Sequence, residues 1–505
     1  MDPRRCRHIL TLTLLLVTPG ITLAAPEAKT TNGSFVGIEE GGVLAFKGIR
    51  YAEPPVGSRR WASPRPVPRA RKPMSANEFG PSCLQPPTTQ GAAVPGSEDC
   101  LFLNVWTEAT DDKLRPVMFW IHGGAFRSGN GNIPGAILAS QDAVVVSINY
   151  RLGPLGFLAH PALRSKSANF AVEDMVLALE WVRDNIRAFG GNPHNVTIFG
   201  VSAGGQAVNL LMVNNRAHGL FHKAIAQSGY AAWPLPRSVS APVPAPRSAD
   251  LGTAERAEDI SQALVARLTD KRQSARVLRS LDGQALVNAL EGFQMPIVDG
   301  AGLREEPALL FAEGEQAAVP FITGGNSFEG SVMSGTGITT EAFTTLLGDD
   351  FDALKNAYAT DFAVSNERGV SRMFGDHRYL LSARLLASAM AATGRESWLY
   401  YIDLGPAQNP QQWPGTPHGY DSAMLFGTDK ETNASVRDLG VRLQQYWLAF
   451  ARKGKPAPES LPKWPSYLPE TDRWMVFSER DGERTGVLKE KLDLLTARHA
   501  KRVQR

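Results

Sequence analysis

Cysteine is scarce in this chain, three residues in 505, and no ligand spacing for zinc accompanies it, so a metal-stapled scaffold is not expected. A dominant charge is missing as well. Lysine and arginine number 53 against 50 aspartates and glutamates, a formal net charge of +3. With no long basic patch, a nucleic-acid partner is not expected. No G-x-x-x-x-G-K occurs, which argues against a loop that cradles nucleotide phosphates. No internal repeat and no extended low-complexity linker offers a place to divide the chain. The apolar run near the start is broken by Pro19 and Gly20 and falls short of the roughly 20 residues that span a bilayer. Stable membrane insertion, a cofactor and a metal are therefore all unexpected.

That same N-terminal stretch, "MDPRRCRHILTLTLLLVTPGITLAA", carries Arg4, Arg5 and Arg7, then apolar residues, then a small-residue site. It reads as an export signal over residues 1–24, cut after Ala24 because a cut after Ala25 would leave Pro26 first. Its removal takes away three arginines and one aspartate, which brings the formal charge from +3 to +1. A secreted or periplasmic protein remains, with two cysteines, Cys83 and Cys100. These lie close enough in the chain to close a short loop, and an oxidising compartment favours their pairing. Residues 25–505 are expected to form a single domain with insertions.

Apolar runs alternate with helical patterns through the first half. "RPVMFWIHGG", "DAVVVSINYR" and "VTIFG" read as strands buried on both faces. Between the last two, "AVEDMVLALEWVRDNIRAFGG" places Val172, Met175, Val176, Leu179, Val182, Ile186 and Phe189 at helical spacing, and Gly190 stops it. Strand, helix, strand implies a parallel pair with a crossover, hence an α/β fold. "VPFITGGN" and "WLYYIDL" supply later strands. The proline-rich residues 230–250 suggest a surface excursion, either a pocket cover or a spacer. The basic residues 484–505 suggest an exposed terminal helix with a solvated face.

The third strand runs into "FGVSAGG", residues 199–205. A G-x-S-x-G at a strand-to-helix corner is the pattern of a nucleophile elbow, in which glycines at 200 and 204 let the neighbouring elements approach. In α/β-hydrolases the chain order is Ser, acid, His. Of the histidines at a useful distance after Ser202, His377 lies in a helical pattern and His499 in the basic end. His418, in "WPGTPHGYD", stands on a turn-rich loop. Between Ser202 and His418, Glu329 follows a strand directly, where such folds place ligands; Asp299 and Asp403 are its rivals. "WIHGGAF" offers the backbone N–H groups of Gly124 and Ala125, with that of Ala203, as donors to an oxyanion. Phe126, Trp233 and Phe328 adjoin these segments and are candidates to line an apolar pocket.

"FGGNPHNVTIFGVSAGG", "SEDCLFLNVW", "HGGAF", "INYRLGPLGFL" and "AIAQSG" together resemble the signatures of the type-B carboxylesterase family, which includes cholinesterases, lipases and bacterial p-nitrobenzyl esterases. The resemblance runs from "GGVLAFKGIRYAEPPVGSRRW" to "WPSYLPETDRWMVF". It implies an α/β-hydrolase fold, a mostly parallel central sheet with helices on both faces and large insertions. It also implies that Ser202 is the nucleophile, Glu329 the acid, His418 the base, and Gly124, Ala125 and Ala203 the oxyanion hole, with Cys83 and Cys100 the first disulfide. The implied activity is hydrolysis of a small carboxylic ester through an acyl-enzyme. Carbamate, amide or lactone cleavage by the same triad is the alternative, and a non-catalytic recognition role a further one. Three positions depart from the pattern: Val201 where glutamate is common, Phe328 where aspartate is, and Ala125 where a third glycine is usual. The Cys83–Cys100 loop also lacks the aromatic ring that holds choline in cholinesterases.

Overall fold

The apolar runs are strands buried on both faces in the computed structural model, which describes residues 25–87, 95–241, 256–405, 414–428 and 433–503. The proposed export signal lies outside the described residues. In chain order the strands are β1 (Glu27–Thr30), β2 (Gly33–Val36), β3 (Ile38–Glu40), β4 (Val43–Arg50), β5 (Met74–Ser75), β6 (Phe102–Thr107) and β7 (Arg115–Ile121). They continue as β8 (Val144–Ile148), β9 (Gly191–Val201), β10 (Lys223–Gln227), β11 (Phe321–Asn326), β12 (Ser397–Ile402), β13 (Arg473–Phe477) and β14 (Gly482–Thr485). β1, β2 and β5 make a small separate sheet. The main sheet runs β14-β13-β12-β11-β10-β9-β7-β8-β6-β4-β3. From β8 to β13 its neighbours are parallel, while β14 at one edge and β6, β4 and β3 at the other are antiparallel.

β7 shows how the sheet builds two cores. Val117, Phe119 and Ile121 face one, Met118 and Trp120 the other, the alternation of a pleated strand covered on both sides. The first core packs on α1 (Phe170–Asn185), α2 (Ala203–Met212), α4 (Leu381–Ala392) and α6 (Lys489–Val503); the second packs on α5 (Ala434–Lys453). α3 (Asn366–Gly375) precedes α4 and is joined to it by a π-helical turn, Asp376–Leu380. The helix expected from the 3.6-residue period is α1; a 3₁₀ turn, Ile186–Phe189, extends it to Gly190, whose φ of 73° suits glycine. A disulfide joins Cys83 and Cys100, with Cα atoms 4.9 Å apart. Among the described residues no helix is long and apolar enough to cross a membrane.

Two expectations need correction. α6 keeps a solvated face, with Lys489, Glu490 and Lys501 exposed, but its other face is docked: Leu492 and Leu495 are buried, Arg502 pairs with buried Glu306 at 2.6 Å, and Arg498 with Asp350 at 2.7 Å. The acids lie about 150 to 200 residues earlier, so the basic tail reads as free when only its own neighbours are considered. Residues 230–237 are likewise interior, with Tyr230, Ala231, Ala232, Leu235 and Arg237 buried. Prolines there exclude helix without requiring a surface path. Residues 242–250 of that stretch lie outside the described residues.

Candidate active site

β9 delivers Ser202 to the end of the parallel sheet and α2 begins one residue later. Between them Ser202 takes φ 59° and ψ −120°, a conformation that costs a residue with a Cβ about 1–3 kcal/mol. Anchored neighbours maintain it. The Ser202 N–H donates to the Gln227 carbonyl on β10 at 2.8 Å, and its own carbonyl accepts from the Gln206 N–H at 2.8 Å. At Gly204 a Cβ would stand 2.1 Å from the Ile121 carbonyl oxygen on β7, and at Gly200 2.5 Å from the same atom. The glycines that frame the serine are thus required by the closeness of α2, β9 and β7.

Glu329 and His418 approach from loops beyond β11 and β12. The loops are laced together: the Phe328 N–H donates to Thr416 O, the Thr416 N–H to Ser327 Oγ and the His418 N–H to Ser331 Oγ, each at 2.8 Å. His418 Nε2 lies 2.7 Å from Ser202 Oγ, and its Nδ1 is hydrogen-bonded to Glu329 Oε2. With Nδ1 protonated toward the carboxylate, Nε2 is the nitrogen free to accept the serine proton. Glu329 is buried, and its Oε1 accepts from the Asn326 N–H and from Ser228 Oγ, both at 2.6 Å. Farther out, buried Asp421 accepts from Gln227 Nε2 at 2.8 Å and from the Tyr400 hydroxyl at 3.0 Å. Tyr379 packs its ring 4.5 Å from that of His418.

The rival residues do other things. Asp299 accepts from the N–H groups of Ala301, Gly302 and Leu303 and shapes their turn. Asp403 follows β12, and its N–H pairs with Phe477 O. His377 is buried in the π-helical turn against Trp233 and Phe343, and burial pushes it down to about 3.

On the far side of the serine, β7 runs on into a turn, His122–Gly123–Gly124. Gly124 has φ 104°, and a Cβ there would stand 2.2 Å from Ser128 O. Ala125 and Phe126 follow at φ 59° and 52°, which gives a physical reason why a third glycine suits position 125. Among the described residues no hydrogen bond engages the N–H of Gly124, Ala125 or Ala203. His122 stacks on Tyr150 at 4.3 Å, and burial pushes it down to about 4. A cleft of about 840 Å³ opens over Gly124, Ala125, Ser202 and His418 and is walled by Arg127 and Phe293.

None of the three aromatic residues expected to line this cleft is among its described walls. Phe126 is fully buried, edge-on to Phe157 at 5.1 Å. Phe328 turns beneath the Arg372 guanidinium, 4.9 Å away, and half-buried Trp233 lies against Phe374. Nearness in sequence does not determine to which side of the backbone a ring projects. Phe293 and Phe426 stand in the cleft instead. Ser228 and Asn326 also escaped the sequence reading. The only signal for Ser228 was its place directly after a buried strand, in "AQSG".

A serine elbow on a central parallel strand, with an acid and an imidazole on loops after later strands, defines an α/β-hydrolase. Comparison with known proteins narrows the class. The model of the carboxylesterase family matches residues 24–494, and the chain belongs to that family, the type-B carboxylesterases, as a carboxylic ester hydrolase. It is 34% identical over 472 residues to the para-nitrobenzyl esterase of Bacillus subtilis (strain 168), covering 89% of this chain and 94% of that one. It is 33% identical over 499 residues to the fumonisin B1 esterase of Sphingopyxis macrogoltabida, covering 91% and 87%. The solved PNB esterase superposes with a TM-score of 0.78 at 31% identity, over 93% of this chain and all of that one. A Geobacillus stearothermophilus carboxylesterase superposes with 0.77 at 29%, over 93% and 99%.

Proposed function

We propose that this protein hydrolyses carboxylic esters in two acyl transfers on Ser202. The observation that carries the reading is the continuous relay from Ser202 Oγ through His418 to buried Glu329. His418 Nε2 takes the serine proton as Oγ attacks the ester carbonyl carbon, and the oxyanion accepts from the N–H groups of Gly124, Ala125 and Ala203. Collapse breaks the bond to the alcohol oxygen, which leaves with the proton from His418. Water then gives a proton to His418 and attacks the acyl carbon; the acid departs and Ser202 regains its hydrogen. Glu329 holds the imidazole in the right tautomer and offsets its transient charge. Each oxyanion donor is worth about 3 kcal/mol of barrier.

Val201 and Phe328 leave the site without the two acids common in relatives, and the Cys83–Cys100 loop has no aromatic residue. Both features disfavour a cationic, choline-like substrate. The disulfide supports export of the protein, with residues 1–24 as the signal. The test is a panel of aryl esters, alkyl esters, carbamates, amides and lactones run with the purified protein and with Ser202→Ala. Turnover of esters by the first, lowered by a factor on the order of 10⁴ or more in the second, is the expected result. Equal turnover by both ends the nucleophile assignment. A wild-type protein inert toward every ester moves the reading to a recognition role, and faster carbamate, amide or lactone cleavage moves it to that chemistry.

A further inference from the structure

The cleft walls include one guanidinium, that of Arg127, and no carboxylate among the described residues. A second guanidinium stands behind the Phe293 wall. Arg378, in the π-helical turn, is 1% exposed, and among the described residues no acid pairs with it. Its Nε has no hydrogen-bond partner, Nη2 meets the weak acceptor Met295 Sδ at 3.7 Å, and its remaining polar neighbours are the neutral hydroxyls of Tyr230 and Tyr379. Aromatic rings surround it: its guanidinium carbon lies 4.4 Å from the ring centre of Tyr230, 4.6 Å from Trp233 and 5.5 Å from Phe293. Such rings offset part of the charge but provide no directional acceptor for the N–H fork.

Two further donors share the cluster. The hydroxyls of Tyr230 and Tyr379 are buried beside the Arg378 guanidinium and have no acceptor for their own protons among the described residues, and the two rings meet edge to face at 5.9 Å. Burial pushes Tyr230 up to about 12, so its hydroxyl keeps its proton. Tyr379 touches both ends of the path, with its ring centre 4.5 Å from the His418 ring and 5.8 Å from the Arg378 guanidinium. A buried cation with no carboxylate beside it and two buried hydroxyls with no acceptor for their protons, one ring away from the reacting histidine, make a costly arrangement if its only purpose is packing. An apolar side chain of similar length would fill the space without that cost.

We propose that Arg378, with the hydroxyls of Tyr230 and Tyr379, binds a carboxylate on the acyl part of the substrate, so that the preferred substrates are half-esters of dicarboxylic acids. This rests on the hydrolase reading above. The acyl side is assigned because the alcohol must leave to solvent after the first step, whereas the acyl group stays on Ser202 until water arrives. A fully interior site suits the part that stays. The guanidinium fork matches a carboxylate in two parallel hydrogen bonds.

The experiment compares monoethyl succinate, glutarate and adipate with ethyl butyrate, valerate and hexanoate, matched in acyl length, by pH-stat titration. For at least one length kcat/KM for the half-ester exceeds that of the neutral ester by about 10- to 100-fold, the worth of a hydrogen-bonded charge. Arg378→Met brings that ratio to one or below, and Arg378→Lys retains part of it. The proposal is overturned if the wild-type protein prefers the neutral ester at every length, or if Arg378→Met lowers both members of a pair equally. It is equally overturned if a carboxylate on the alcohol, as in O-butyrylglycolate, raises kcat/KM as much as one on the acyl chain. Should Arg378→Met fail to fold, wild-type protein still decides: glutarate inhibits competitively and glutaramide does not, and the reverse order sinks the idea. Failure to turn over any of the six esters tells against the hydrolase reading itself and is thereby distinct.

Discussion

Substituting Ser228 by alanine takes one hydrogen bond from the Glu329 carboxylate while leaving Ser202, His418 and their loops untouched. Ser228 is fully buried at φ 51°, a strained backbone that alanine shares, and its N–H bond to Gly324 O at 2.9 Å survives the change. What is lost is the 2.6 Å donation to Glu329 Oε1, after which the Asn326 N–H is that oxygen's remaining donor. A hydrogen bond to a charged group is worth about 1.5–3 kcal/mol. In the proposed mechanism the imidazolium forms against this carboxylate, so most of that loss falls on the transition state. The expected effect is a kcat about 10- to 100-fold lower with KM little changed. Steady-state rates on p-nitrophenyl acetate between pH 5 and 9, with melting curves as a control on folding, read both quantities. A kcat within twofold of wild type across that range would show that backbone donation alone orients Glu329 and would refute the reasoning.

Other consequences concern stability. Gly204→Ala forces a Cβ to 2.1 Å from a backbone oxygen and costs about 3 kcal/mol or more, whereas Gly482→Ala meets nothing within 4 Å and stabilises by up to about 1 kcal/mol; equal melting temperatures for the two would contradict the packing account of the elbow. His122 and His377, pushed by burial down to about 4 and about 3, take up protons in the unfolded chain near pH 6.5 but not in the fold. Their stabilisation is complete above that pH and is lost progressively as pH falls toward 4 and 3. At 1.36 kcal/mol per unit each amounts to at least about 3 kcal/mol. Asp376, pushed up to about 6, works oppositely, adding stability as pH falls from 6 to its unfolded value, and offsets about one histidine. Urea midpoints are therefore lower at pH 4.5 than at 7.5, with a smaller drop in His377→Phe; identical midpoints for wild type would speak against the buried neutral rings. Breaking the 17-residue Cys83–Cys100 loop by paired serine substitutions lowers stability by about 3 kcal/mol in the chain-entropy model, measurable as a shift in urea midpoint, and no shift would show that the closed loop leaves the unfolded chain unconstrained.

Local pattern carried a good deal of this protein. The apolar runs at 144–148 and 196–200 named two parallel strands, the period of residues 172–189 named the crossover helix between them, and the glycines around Ser202 marked the corner where side chains cannot fit. Chain order then selected His418 and Glu329, residues 216 and 89 positions from the partners to which the fold brings them. These features were legible because each depends on the repeat of its own strand or helix, or on a steric demand within a few residues. The partners of Arg502, the donation from Ser228, the isolation of Arg378 and the direction of Phe126 and Phe328 were not. Each is settled by which distant segments the sheet order and the loops lay side by side, and a one-dimensional pattern holds no measure of the distance between them.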